Sequence, residues 1–165
     1  ALHDAQKIGE ILLNLRQVHL IKDDKIGFAV RAARSRTELD NFGGPGGDDP
    51  NNVQNYGTLL VRGQYRGLSQ SGRWERTVSL SWLGTKRENV NPVDASHPEE
   101  SDQGLYQSGL FKLDWQNNLF LHPANTLTAG LELAEEAGRS DYTSESPYGS
   151  MESRFPSARA GSDGI

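Results

Sequence analysis

From Trp74 to Trp82 the chain changes character at every residue. Trp74, Val78, Leu80 and Trp82 fall on even positions together with one charge, Arg76, while Glu75, Thr77, Ser79 and Ser81 fall on odd ones. Successive side chains of a β-strand point to opposite faces, so this period of two specifies a strand with one apolar and one polar side. Four further segments repeat the pattern. Ile26, Phe28, Val30 and Ala32 alternate with Gly27, Ala29, Arg31 and Ala33, and Leu59, Val61, Gly63 and Tyr65 alternate with Leu60, Arg62, Gln64 and Arg66. Gly109, Phe111, Leu113 and Trp115 alternate with Leu110, Lys112, Asp114 and Gln116. Leu127, Ala129, Leu131 and Leu133 alternate with Thr128, Gly130 and Glu132. The stretch 8–20 is ambiguous, because Leu12, Leu13 and Leu15 also suit a helical turn; it is read as a strand.

Six strands are therefore expected, at about 10–20, 25–38, 56–68, 73–87, 105–121 and 124–137. The fold class is all-β, an antiparallel up-and-down meander. The connections alternate strictly in length. Ile21–Lys25, Leu68–Gly72 and His122–Ala124 are short, whereas about 39–55, 88–104 and 138–165 are read as long polar loops. In a meander, alternate connections lie at opposite ends of the sheet, so one end has tight turns and the other long loops. Outer-membrane barrels have that asymmetry.

Composition narrows the alternatives. No apolar run approaches the length of a membrane-spanning helix, the best being Ile26–Val30 and Leu59–Val61. A barrel is not excluded by low hydropathy, since its signal lies in alternation. The chain has no Cys, which removes disulfides, thiolate nucleophiles and Cys-ligated zinc. Its net charge of −5 argues against a nucleic-acid-binding face. Trp74 and Trp82 are eight residues apart on one face, about 26 Å along a strand, close to the roughly 25 Å lipid band that aromatic girdles flank in barrels. The opposite face, with Arg62, Arg66, Glu75, Lys112, Asp114, Gln116 and Glu132, suits a wet lumen or a solvated exterior.

The stretch 104–136, GLYQSGLFKLDWQNNLFLHPANTLTAGLELAEE, resembles a barrel hairpin of the TonB-dependent outer-membrane receptors. Lys112, Asp114, Trp115, Gln116 and Asn117 lead into the turn, and Asn125, Thr126, Leu127, Thr128, Gly130, Leu131 and Glu132 follow it. Residues 25–90 resemble the family more loosely. The resemblance implies a barrel of 22 strands around a plug domain. It implies import of a scarce nutrient, such as a ferric siderophore or cobalamin, across the bacterial outer membrane. Long extracellular loops and lumen walls would capture the ligand, and the TonB complex would move the plug. The whole of 1–165 reads as a partial barrel domain with no plug and no TonB-contacting box. The expected partners are then the plug and remaining barrel of a parent chain, TonB, the bilayer and the small-molecule ligand. The only Met is Met151, and the Ser/Gly-rich C-terminal stretch has no capping element; both read as marks of a piece of a longer chain. The alternative is a soluble antiparallel β-sandwich binding module, whose apolar faces would pack together. A porin without a plug is a third reading.

Site chemistry is sparse. His3, His19, His97 and His122 share no metal-ligand spacing and are read as surface and turn residues. The loop Asp40–Asn52 gathers Asp40, Asp48, Asp49 and Asn51 among glycines, oxygen donors of the kind calcium takes, but in no EF-hand order. Its turn-forming composition equally suits a solvated loop. Glu99, Glu100 and Asp102 form a second acidic patch. No nucleophile elbow or phosphate-binding loop occurs. No enzyme activity, cofactor, metal or catalytic residue is expected.

Overall fold

The structure is a computed structural model that describes residues 7–21, 24–39, 51–95 and 97–164. All of its regular structure is strand: β1 (Lys7–Ile21), β2 (Asp24–Glu38), β3 (Val53–Leu68), β4 (Trp74–Asn91), β5 (Ser101–His122), β6 (Asn125–Ser146) and β7 (Gly149–Gly164). They form one antiparallel sheet in chain order, β1-β2-β3-β4-β5-β6-β7. Among the described residues the sheet is open, with β1 and β7 as its two edges. The ambiguous first segment is strand, paired with β2 from Lys7↔Thr37 to Ile21↔Asp24.

Seven strands stand where six were expected, and residues 138–146 and 149–164 are strand instead of loop. β6 runs on to Ser146, a turn follows at Pro147 and Tyr148, and β7 returns along β6. The turn is tied by Ser146, whose hydroxyl donates to Gly149 O (3.1 Å) and accepts from Tyr148 N (3.4 Å). These segments lack an apolar face, so no period-two signal marks them. Cross-strand ion pairs stand in its place, Arg154–Asp141 at 3.2 Å and Arg159–Glu135 at 3.4 Å. The loop expected at 88–104 is also shorter, because β4 extends to Asn91 and β5 starts at Ser101.

The fold has almost no interior. Val53 is the one buried apolar residue among those described, and no second layer covers either face. Backbone pairing holds the strands together, while large apolar side chains from Ile11 (72% exposed) to Trp115 (47%) stand open. A single two-sided sheet of this size has no hydrophobic core of its own.

Candidate functional site: two unlike faces of one sheet

Residues paired across an antiparallel sheet share a face. The register therefore decides whether the five alternating segments agree, and they do. One row of partners runs Leu15, Val30, Val61, Trp82 and Phe111. Two residues lower lie Phe28, Gly63, Leu80, Leu113 and Leu133, and below that Ile26, Tyr65, Val78, Trp115 and Leu131. Every segment's apolar set lands on the same side, building one continuous apolar face.

The apolar band crosses these rows obliquely. Ile11 is the uppermost described apolar residue of β1 on this face, and its row ends at Arg139 on β6. The uppermost large apolar residue of β6 is Leu133, six residues lower. On β2 the lowest apolar residue of this face is Ile26, and its row ends at Leu131; the lowest on β6 is Leu127, four residues further down. Both margins descend in the same direction, the upper by roughly 20 Å over the five inter-strand steps from β1 (roughly 24 Å) and the lower by roughly 13 Å over the four from β2 (roughly 19 Å). The band is thus inclined to the hydrogen-bond rows by roughly 35–40°, within the range of strand tilt in transmembrane barrels.

Above the band the same face becomes charged. Lys86 pairs with Glu88 (3.2 Å), Arg139 with Asp141 (3.1 Å), and Arg34 occupies the corresponding place on β2. At the lower margin the one charge inside the pattern, Arg76, is accommodated by aromatic rings. Its guanidinium lies 5.4 Å from the Trp74 ring and 5.8 Å from that of Tyr65. It donates to the Tyr65 hydroxyl (3.2 Å), which donates to Asp24 (3.0 Å), while Trp74 Nε1 donates to Asn117 (3.1 Å). Rings with a polar tip at an apolar-to-polar boundary behave as interfacial anchors.

The opposite face carries two polar networks. Arg66 on β3 pairs with Glu75 on β4; Glu75 accepts from Asn118 on β5 (3.1 Å), and Asn118 accepts from Thr128 on β6 (2.9 Å). Higher up, Ser79 donates to Asp114 (3.1 Å), and Lys112 reaches both Asp114 (3.3 Å) and Glu132 (2.9 Å). Nearer the long-connection end, Arg87 stacks 5.7 Å over Tyr106 beside Tyr142 and Asn89, around a depression of about 350 Å³. That cluster was not singled out from the sequence, since its members lie on three strands and meet only through register.

The remaining candidates stay apart. Asp40, Asp48 and Asp49 of the calcium-type loop lie outside the described residues, as does His3; Asn51 donates to Pro92 O (3.0 Å). Glu99 and Glu100 are exposed, whereas Asp102 accepts from Asn89 (2.8 Å). His97 is buried, contrary to its expected surface position, in a turn where its N–H donates to Asp94 (2.7 Å). His19 lies exposed on β1, and His122 accepts from Ala124 N (3.3 Å). No group of three His, Asp or Glu suited to a metal occurs among the described residues. Comparison with protein families, characterised proteins and solved structures finds no match.

Proposed function

We propose that this chain is a portion of a transmembrane β-barrel in the bacterial outer membrane, of the TonB-dependent receptor type. The observation that carries the barrel reading is the oblique apolar band. Six strands contribute to it, it faces away from the polar networks, and its inclination matches barrel tilt. The hairpin phrase at 112–132 supports the receptor type, as do strands of up to 22 residues where about 9–11 suffice to cross a bilayer. The surplus rises at the long-connection end as extracellular wall. On this reading the polar face lines the lumen and meets the plug, and the Tyr106–Arg87–Tyr142 cluster belongs to the outer lumen, where a captured iron chelate or cobalamin passes. The plug and the rest of the barrel complete the pore, and TonB supplies the energy.

Depth-dependent fluorescence quenching tests the barrel reading. Trp115 lies four residues from both Phe111 and Leu119, at mid-band, while Trp74 and Trp82 mark the margins of β4. In single-Trp variants of the chain in vesicles, bromines near the acyl-chain ends should quench Trp115 most. Bromines near the headgroup should quench Trp74 and Trp82 most. Absence of quenching at all three sites would instead leave the apolar face covered by protein, as in a soluble sandwich.

A further inference from the structure

The upper margin of the apolar face is interrupted by a depression of about 640 Å³ bordered by Arg34, Gly57, Trp82, Gly84 and Lys86. Its origin is local. Gly57 on β3 is paired with Arg34 on one side and Lys86 on the other, so two cationic side chains flank a position with no side chain. The Trp82 indole is folded along its strand over Gly84, where a Cβ would overlap the ring, and its Nε1 approaches Gly109. The result is a hollow with a glycine floor, an indole along its lower edge and two exposed cations above. Glu88 also borders it and holds Lys86 at 3.2 Å, so the net charge of the three is one positive.

We infer that this hollow is a binding site for the phosphate of an anionic lipid headgroup, placed on the outer wall of the barrel. The inference rests on the membrane reading above. A guanidinium and an ammonium bordering one space suit a phosphate. The indole beneath suits the glycerol or sugar to which that phosphate is attached, and the band below suits its acyl chains. Position argues for a lipid over a soluble anion, because the hollow opens sideways at the apolar boundary and not toward the lumen. One net cation at a membrane surface favours an anionic lipid by about fivefold.

The test uses the full chain carrying Trp82 as its only tryptophan (Trp74→Phe, Trp115→Phe) in phosphatidylcholine vesicles. A minority of the lipid is brominated near the headgroup, either as phosphatidylcholine or as phosphatidylglycerol. Enrichment of the anionic lipid should give up to about fivefold more quenching per brominated phosphatidylglycerol than per brominated phosphatidylcholine. The excess should vanish in Arg34→Gln/Lys86→Gln and persist in added inorganic phosphate. Equal quenching by the two lipids, or an excess retained in the double variant, overturns the site while the barrel reading stands. Loss of the excess to inorganic phosphate overturns it in favour of a free-anion site. Quenching by neither lipid overturns both readings.

Discussion

Arg76 shows how a single charge is carried at the edge of an apolar surface. Its stem runs along the face, its guanidinium lies against Tyr65 and Trp74, and its hydrogen bond reaches the hydroxyl that binds Asp24. Exposed cation–π contacts contribute about 0.5–1 kcal/mol and a net hydrogen bond about as much. Arg76→Ala should therefore lower stability by about 1–2 kcal/mol, read as a shift of the urea midpoint in detergent micelles. Arg76→Lys should recover part of it. The alternation revealed that Arg76 interrupts the apolar side, but not why it is tolerated. Tyr65 and Asp24 reach it through two strand pairings that no local pattern encodes. Gly130 makes the same point. The residue is visible in the hairpin phrase, yet a Cβ there would stand 2.9 Å from the Trp115 carbonyl oxygen, a close approach known only once β5 and β6 are in register.

Strands β2 to β6 were legible because each crosses the band, where one side carries apolar residues and the other polar ones. The ends of β4, β5 and β6 and the whole of β7 lie beyond it. There both sides carry mostly polar residues, no period of two appears, and the sequence reads as a loop. Pairing still continues, supported by ion pairs such as Arg154–Asp141 and Arg159–Glu135. Sidedness within the band is directly testable on β4. Leu80→Arg places a cation on the apolar face near mid-band, at a cost of about 2–4 kcal/mol in a bilayer. It should abolish co-flotation of the chain with vesicles. Ser81→Arg, one residue on, faces the polar networks and should float as the parent does. Equal behaviour of the two variants would contradict the assignment of faces.

Among the described residues the sheet has an apolar side without a cover and two unpaired edges. Both features promote association in water. The chain should sediment as large assemblies in plain buffer and become dispersed in detergent; a monodisperse monomer without detergent would sink the membrane reading. The proposed receptor type rests chiefly on one hairpin phrase. Its lysine, acid and tryptophan are placed intelligibly: Lys112 and Asp114 join the polar network while Trp115 sits in the apolar band on the other face. What no single segment contained was the shared tilt, which emerges only when six strands are laid side by side.

The ion pairs of the polar face also constrain how such a sequence can change through time. Lys112 answers two carboxylates at once, Asp114 and Glu132, and Asp114 holds Ser79 as well. A lineage that first loses Lys112 leaves two acids facing each other across neighbouring strands. One that first converts Glu132 to glutamine keeps a balanced pair and can then vary the rest. The order of substitutions is therefore directional, and descendants of this wall should carry the memory of that order as coupled replacements at positions 112, 114 and 132.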